Sequence, residues 1–219
     1  DALLDNRVSD HSAIFDLVMD VYEDPFTEKG VEEGAPSGIG KLDEMTNGFQ
    51  DGELVIVAGR PSMGKSDVML HIAKHAGWQG RLPIIFSLEM SDTSLRDRLL
   101  ASTGRFSRIR MRDPYALLSD KQKGDWAKTI GRVAETDIQF FDRSRQTVAE
   151  MRMKVRKMIH AFPDRKPVIL IDYLTLIHSE DQVANKHLQV SQITKDLKGM
   201  AREFNCPVIT LAQLSRAVE

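Results

Sequence analysis

One segment, residues 59–66, constrains this chain more than any other, because it fits the pattern G-x-x-x-x-G-K-[ST]. An apolar, β-branched run at residues 53–58 precedes it and predicts a buried strand, and residues 65–76 can continue as a helix. A strand, a glycine-bearing loop and a helix N-terminus together offer unpaired backbone N–H groups to phosphate oxygens. The sequence therefore predicts a nucleotide-binding site.

The residue types within this loop predict how it would hold ATP and Mg²⁺. Lys65 is expected to reach the β- and γ-phosphates, and the hydroxyl of Ser66 is expected to bind Mg²⁺. We expect the nucleotide to contact the whole loop and the residue that follows it: Gly59, Arg60, Pro61, Ser62, Met63, Gly64, Lys65, Ser66 and Asp67.

Apolar runs and helix-forming stretches alternate regularly from residue 39 onward. We predict strands near residues 54–58, 82–87, 138–141, 168–171 and 208–211, and helices near residues 65–76, 92–103, 114–135, 147–161 and 186–204. Strands that alternate with helices of this length form a mostly parallel sheet with helices on both faces. The predicted fold class is α/β, and such sheets bind ligands beyond the carboxyl ends of their strands.

Three further strand ends carry polar side chains toward that edge. Glu89 follows the second strand, where it can polarise an attacking water or merely cap the next helix, and the residues favour neither role. Asp172 ends a run of four aliphatic residues, which favours Mg²⁺ binding through water over the start of a turn. Gln213 follows the last strand and can hydrogen-bond a γ-phosphate, a weak signal by itself.

Composition excludes several classes of protein. The 219 residues carry 30 basic and 32 acidic side chains, a net charge of −2, so any contact with nucleic acid must be local rather than spread over a basic face. The single cysteine, Cys206, cannot form an internal disulfide, and no apolar run approaches the ~20 residues that cross a bilayer. No signal-peptide pattern opens the chain, so we expect a cytoplasmic protein.

Two histidines, His71 and His75, stand four residues apart in the predicted helix after the phosphate loop. That spacing can bind a metal ion, but no third ligand is evident in the sequence. A structural role is the favoured interpretation.

The N-terminal region predicts one short helix and a tether. Residues 11–24 place an apolar stripe at helical spacing, formed by Ile14, Leu17, Val18, Val21 and Tyr22. Residues 24–40 are rich in glycine, proline and acids and indicate a linker. The stripe can pack on the chain's own core or on a neighbouring subunit, and the sequence favours neither. We therefore divide the chain into residues 1–35, helix and tether, and residues 36–219, the nucleotide-binding core.

Two polar segments can contact nucleic acid or simply face solvent. Residues 178–189 include Asn185, Lys186 and His187, of which Lys186 is the best candidate for a phosphate contact, although composition favours a solvated loop. Residues 105–112 contain four arginines that can contact DNA or a partner subunit, and a solvated connector is the favoured interpretation.

Four segments occur in a telling order: GRPSMGKS at residues 59–66, FSLEMS at 86–91, ILIDYL at 169–174 and QLSR at 213–216. Together they resemble the RecA-like motor domain of the DnaB-type replicative DNA helicases. Residues 37–49 also match the start of that domain, so the likeness covers about residues 36–219. It is specific, because RecA recombinases and clock-type ATPases keep the phosphate loop without this set.

The resemblance implies a role for each candidate residue. Lys65 and Ser66 would contact the triphosphate and Mg²⁺, Glu89 would be the catalytic base, Asp172 the Walker B acid and Gln213 the γ-phosphate sensor. ATP hydrolysis would drive a hexameric ring along single-stranded DNA and unwind the duplex. The helix at residues 11–24 would pack on the adjacent subunit, and loops after the Walker B strand would face the DNA channel.

The resemblance also implies what these residues would lack. The family's N-terminal domain, which meets primase, is not represented, and the arginine finger, a second DNA-binding loop and the last strands would lie beyond residue 219. Loss of an arginine finger can slow hydrolysis by around 10³-fold. We therefore expect residues 1–219 alone to bind nucleotide and to hydrolyse it weakly, and we expect primase and a helicase loader as candidate partners of the full-length protein.

Rival interpretations remain within and outside this fold. A RecA-type recombinase or clock-type ATPase shares the phosphate loop. A P-loop kinase for a small molecule would need an acceptor pocket and a basic lid, for which the arginines of residues 105–112 are the only candidates. A non-catalytic ATP-binding subunit is the third alternative.

Overall fold

The computed structural model of the chain describes residues 34–178 and 186–214, with the side chain of Lys186 excepted. The predicted helix at residues 11–24 and the proposed division of the chain after residue 35 rest on residues outside this range, and both stay predictions. No helix of the described residues is long and apolar enough to span a membrane.

A parallel sheet forms the centre of the described structure. Its strands, in chain order, are β1 (Leu54–Gly59), β2 (Leu82–Ser87), β3 (Gln139–Phe141), β4 (Pro167–Asp172) and β5 (Val208–Gln213). They lie side by side in the order β1-β5-β4-β2-β3, and every neighbouring pair is parallel. All five predicted strands are present, and the predicted α/β class is confirmed.

The helices follow the strands in alternation. They are α1 (Gly40–Thr46), α2 (Lys65–Trp78), α3 (Asp92–Gly104), α4 (Pro114–Leu117), α5 (Asp120–Gly124), α6 (Trp126–Ala134), α7 (Val148–Ala161) and α8 (Lys186–Glu203). Short 3₁₀ turns at Arg110–Arg112 and Leu174–Leu176 complete the described elements.

Both faces of the sheet are covered, as expected for central strands that are apolar up to a polar last residue. All residues of β2 and β4 are buried. Alternate residues of these strands pack on opposite faces, as strand geometry requires. One face packs against α7 and α8 through residues such as Met151, Val155 and Leu197. The other packs against α2 and α3 through residues such as Met69 and Leu95.

The single predicted helix at residues 114–135 is wrong, because the structure breaks it into α4, α5 and α6. Leu118 has an extended ψ of 141° and ends α4. Ser119 then caps the start of α5 with a capping box. Its side chain accepts a hydrogen bond from the backbone N–H of Gln122, and the Gln122 side chain accepts one from the backbone N–H of Ser119. A serine followed three residues later by glutamine is a signal for a helix start, and here it interrupts a longer helical pattern.

The described part of the predicted linker packs on the core. Ala35 forms a β-bridge with Phe49, and both Ala35 and Ser37 are buried. The carboxylate of Asp43, in the short helix α1, accepts hydrogen bonds from the backbone N–H groups of Ser37 and Gly38. The linker predicted for residues 24–40 therefore does not extend through residues 34–38, which pack on the core through this bridge and the Asp43 hydrogen bonds.

Cys206 lies in the core, just before β5, and is fully buried. Burial raises the pKa of its thiol to about 12, and the nearby Asp51 carboxylate acts in the same direction. A thiol that stays neutral behaves as a small apolar side chain. The role of Cys206 is therefore packing.

A matched pair of helical glycines tests the packing of α2. A Cβ on Gly77 would lie 2.5 Å from the carbonyl oxygen of Thr136, whereas a Cβ on Gly131 of α6 would meet nothing within 4 Å. We expect Gly131→Ala to stabilise the protein by up to about 1 kcal/mol through helix propensity. We expect Gly77→Ala to destabilise it by about 1–3 kcal/mol through the clash. Urea unfolding measures both, and equal effects would contradict the close approach of α2 to Thr136.

Candidate nucleotide-binding site

The phosphate loop joins the end of β1 to the start of α2. Gly64, the residue before α2, has φ of 83°, and Ser62 has φ of 63°. Left-handed residues inside such a loop turn successive backbone N–H groups toward one concave side. Because Gly64 carries no Cβ, this conformation costs it little, whereas any other residue would be strained there. The local structure is therefore a potential anion-binding loop at a helix N-terminus.

The side chain of Lys65 hydrogen-bonds to the backbone at the start of its own loop. Its Nζ donates hydrogen bonds to the carbonyl oxygens of Gly59, at 2.9 Å, and Arg60, at 2.8 Å. Both acceptors belong to the backbone at the start of the loop. The ammonium is therefore held within the loop, where it can exchange one carbonyl for a phosphate oxygen.

Ser66 and Asp172 meet directly. The hydroxyl of Ser66 donates to Oδ2 of Asp172 at 2.7 Å, and Asp172, the last residue of β4, is only 2% exposed. Because the hydroxyl donates its proton to the carboxylate, the lone pairs of its oxygen are available to a cation. Oxygen donors of this kind suit Mg²⁺, which usually binds few protein ligands and keeps waters and phosphate oxygens for the rest. The donor set therefore fits Mg²⁺.

Glu89 lies on a short turn after β2 that a buried serine holds in shape. The hydroxyl of Ser87 donates to the carbonyl of Met90 at 2.7 Å and accepts from the N–H of Met90 at 3.1 Å. Leu88, just before Glu89, donates its N–H to the carbonyl of Asp172 at 2.8 Å. The exposed Glu89 is thus fixed beside the end of β4 by its neighbours' backbone.

The four strand ends open into one cavity of about 460 Å³. Its lining combines the loop, the three other strand ends and two arginines from α3 and the connector after it: Pro61, Ser62, Gly64, Lys65, Ser66, Asp67, Glu89, Met90, Arg98, Arg108, Asp172, Tyr173 and Gln213. Gln213 is paired in register with Gly59, which brings β5 to the loop. The structure therefore brings together Lys65, Ser66, Glu89, Asp172 and Gln213 as the sequence predicted.

Some predicted contacts lie elsewhere. Gly59, Arg60 and Met63 do not line the cavity, and Met63 is 73% exposed at the tip of the loop. The carbonyls of Gly59 and Arg60 instead bind Lys65. The roles of these three residues toward a nucleotide stay predictions.

The candidate DNA contacts are only partly described. Asn185 lies outside the described residues, and Lys186 begins α8 without a described side chain. His187 is exposed in the first turn of α8. His187 does not line the cavity, so its predicted contact with DNA is separate from nucleotide binding. The DNA contacts of all three residues stay predictions.

Two arginines and a tyrosine in the cavity wall escaped prediction. Arg98 comes from α3, where its Nη1 donates to Oδ1 of Asp67 at 3.0 Å. Arg108 belongs to the arginine-rich connector that the sequence favoured as purely solvated, yet it also lines the cavity. Tyr173 follows Asp172 directly. No sequence pattern marks Arg98. The arginine run around Arg108 is evident in the sequence, but the sequence does not show that it reaches the cavity.

The two histidines of α2 have structural contacts. His71 Nε2 lies 3.0 Å from the carbonyl oxygen of Gly38, and the rings of His71 and His75 are 4.5 Å apart. Burial lowers the pKa of His75, and the neighbouring His71 and Lys74 lower it further. Across residues 34–178 and 186–214, no group of three or more acidic, histidine or cysteine side chains is arranged to hold a metal. These contacts fit the structural role favoured by the sequence.

Similarity to solved structures supports the same fold. A structure described as "ATPase Domain of G40P" matches 95% of this chain and 73% of its own, with a TM-score of 0.87 and 32% identity. A second, described as "The Structure Of A DnaB-Like Replicative Helicase And Its Interactions With Primase", matches 95% of this chain and 50% of its own, with a TM-score of 0.85 and 32% identity. The RecA-like architecture predicted from the sequence is confirmed.

Sequence relatives point to one family. A probable replicative DNA helicase of Trieres chinensis is 40% identical over 199 residues, and the replicative DNA helicase DnaB of a Nostoc species is 41% identical over 187 residues. These matches cover 88% and 85% of this chain but only 42% and 21% of the relatives, so the chain spans less than half the length of either.

A family model, that of the DnaB-like helicase C terminal domain, matches residues 34–219. The recombinase, clock-type and kinase alternatives are not favoured by these similarities. Because this model covers most of the chain, the chain belongs to the family of DnaB-like helicase C-terminal domains.

Proposed function

We propose that this chain is the ATP-hydrolysing motor domain of a hexameric replicative helicase that moves on single-stranded DNA and unwinds duplex DNA. One observation carries the proposal: Lys65, Ser66, Glu89, Asp172 and Gln213, from four different strand ends, line a single cavity. Family membership and the helicase relatives support the same activity. The helicase activity is proposed by analogy with relatives of which this chain spans less than half.

Each side chain of the cavity has a distinct task in the proposed reaction. Lys65 neutralises the β- and γ-phosphates. Ser66 and Asp172 would hold Mg²⁺, which supplies charge neutralisation at the terminal phosphates when it is bound. Glu89 accepts a hydrogen bond from the attacking water and orients it in line with the γ-phosphate. Gln213 binds the γ-phosphate and reports its release.

The position of Gln213 supports a route by which hydrolysis would be transmitted. Gln213 is the last residue of β5, and the next residue, Leu214, donates its N–H to the carbonyl of Gly59 at 3.2 Å. Any shift of Gln213 on loss of phosphate therefore acts on the base of the phosphate loop and on the chain beyond β5. A motor that moves in steps needs such a contact, which differs between the states with and without the γ-phosphate.

The proposed partners follow from the family rather than from the cavity. A solved relative is described as a DnaB-like replicative helicase with interactions with primase. We therefore propose single-stranded DNA as the substrate track, a homo-hexameric ring as the assembly, and primase and a helicase loader as partners in a cytoplasmic setting. Lys186, His187 and Asn185 are proposed as local contacts to the DNA backbone.

Substitution of Glu89 separates binding from chemistry. Glu89→Gln keeps the shape of the side chain but cannot accept a proton, so we expect ATP binding to persist while turnover falls by about 10²- to 10⁴-fold. Duplex unwinding should fall with it. Steady-state hydrolysis and equilibrium nucleotide binding measure the two effects in the intact helicase.

The control is Glu135→Gln, at the exposed end of α6 and outside the cavity, which should leave turnover unchanged. Retention of full turnover by Glu89→Gln would contradict the proposed base and favour a non-catalytic nucleotide-binding subunit.

Substitution of Asp172 tests the proposed Mg²⁺ site. Asp172→Asn removes the charge that the Ser66 hydroxyl contacts, so the Mg²⁺ concentration for half-maximal hydrolysis should rise by about 10- to 100-fold. A Mg²⁺ titration at saturating ATP measures it. Asp142→Asn is the matched control, because Asp142 follows β3 at the same edge of the sheet but does not line the cavity. An unchanged Mg²⁺ requirement in Asp172→Asn would contradict the assignment.

Removal of residues 1–24 tests the proposed docking helix. If its apolar stripe packs on a neighbouring subunit, the shortened chain should fail to form rings with a non-hydrolysable ATP analogue, while its binding of that analogue is retained. Light scattering measures the assembly. Rings with an unchanged number of subunits would indicate instead that the stripe packs on its own chain.

A further inference from the structure

The loop between β3 and α7, residues 142–147, is held in shape by one glutamine. Gln146 is fully buried, and both ends of its side-chain amide are used. Its Nε2 donates to the carbonyl oxygen of Arg143 at 2.8 Å, and its Oε1 accepts a hydrogen bond from Nζ of Lys154. A buried polar side chain whose hydrogen bonds are satisfied fixes the backbone around it. The loop therefore has a defined shape, although the side chains of residues 142–145 are exposed.

Gln146 also joins this loop to the segment that follows β4. Its backbone carbonyl accepts a hydrogen bond from the N–H of His178 at 2.9 Å. His178 is exposed and begins residues 178–189, the polar segment that contains the proposed DNA contacts. Val148 and Ile177, which follow and precede these two residues, pack in one apolar cluster. The loop after β3 and the chain after β4 therefore lie side by side at the carboxyl edge of the sheet.

Two arginines of the loop have few contacts with the protein. Arg143 is 71% exposed, and its Nη1 lies 3.6 Å from Oε1 of Glu150, which is beyond hydrogen-bond distance. Glu150 already accepts a hydrogen bond from the backbone N–H of Thr147 at 2.9 Å. Arg145 is exposed and has no ion pair or hydrogen bond with the rest of the described chain. Both guanidinium groups can therefore donate to an external anion without breaking a strong contact.

The chemistry of the exposed part of the loop suits phosphate oxygens. Its carboxylate, Asp142, is turned to α3, where its Oδ2 accepts from the N–H of Asp92 at 3.2 Å. What remains is an Arg-Ser-Arg sequence at residues 143–145, two planar guanidinium groups with a hydroxyl between them. None of these three residues lines the nucleotide cavity. The phosphate oxygens that they suit therefore belong to a second ligand.

We propose that Arg143 and Arg145, on the loop between β3 and α7, contact the phosphate backbone of single-stranded DNA. The inference rests on the proposed function, because it takes DNA as the polyanion that this domain binds. Contacts of this kind position a strand and read no sequence. Two arginines on one loop also agree with a net charge of −2, which requires any contact with nucleic acid to be local.

The test removes both charges in the intact protein and measures its binding to a labelled oligo(dT) by fluorescence anisotropy, with Mg²⁺ and a non-hydrolysable ATP analogue. Each phosphate contact adds about 0.7 to the slope of log affinity against log salt, which is about fivefold in affinity between 1 M and 0.1 M salt. We therefore expect Arg143→Gln with Arg145→Gln to weaken binding by about fivefold per lost contact at about 0.1 M salt, with a correspondingly shallower slope. Arg143→Lys with Arg145→Lys keeps both charges and should retain the slope and most of the affinity.

The matched control removes two charges at the opposite edge of the sheet. Lys166 directly precedes β4, and Lys198 donates to the carbonyl of Gly52 just before β1. Lys166→Gln with Lys198→Gln should leave both the affinity and the salt slope unchanged. ATP hydrolysis without DNA should be unchanged in the arginine variants, since neither arginine lines the cavity.

Four outcomes overturn the proposal. Normal affinity and slope in the glutamine variant would remove the loop from the DNA site. Weaker binding with an unchanged slope would make its role structural, and loss of ring assembly in light scattering would make it a subunit contact. A loss that differs between oligo(dT) and oligo(dC) would indicate contact with bases rather than phosphates. If the unmodified protein does not bind oligo(dT), the proposed function fails and this inference fails with it.

Discussion

The hydrogen bond between the Ser66 hydroxyl and the Asp172 carboxylate is the contact on which the site depends. It joins residues 106 positions apart at 2.7 Å, one at the start of α2 and the other at the end of β4. Because Asp172 is buried, its charge needs a partner, and an unpaired buried carboxylate would be costly. The same pairing brings two oxygen donors together at the cavity. The same hydrogen bond therefore stabilises the end of β4 and positions two side chains of the site.

That bond can form only because the strands are parallel and in register. Ser87 pairs with Asp172 across β2 and β4, and Gly59 pairs with Gln213 across β1 and β5. Parallel pairing places every carboxyl end at one edge, so β1, β2, β4 and β5 each bring a side chain to the same cavity. β2 and β4, which set this register, are buried on both faces. Their burial stabilises the pairing of strands that lie far apart in the sequence.

Local sequence patterns predicted most elements of the fold, and the features that they missed depend on other contacts. Continuous apolar runs identified all five strands, and strand-end logic identified Glu89, Asp172 and Gln213 as neighbours of the loop. The break at Leu118 was missed because the capping box of Ser119 competes with helix propensity over a few residues. Arg98 was missed for another reason: its place in the wall depends on how α3 packs against α2, which no local pattern records.

The charges around the cavity resolve an apparent conflict between composition and proposed function. A net charge of −2 argues against a broad basic face, yet phosphates need cations. The structure places three cations, Lys65, Arg98 and Arg108, in one cavity, balanced there by the carboxylates of Asp67, Glu89 and Asp172. Asp67 is the counterion of Arg98. A loosely held, half-exposed counterion keeps a guanidinium in place without competing strongly with a polyanion. Local arrangement, rather than total charge, therefore sets what this surface can bind.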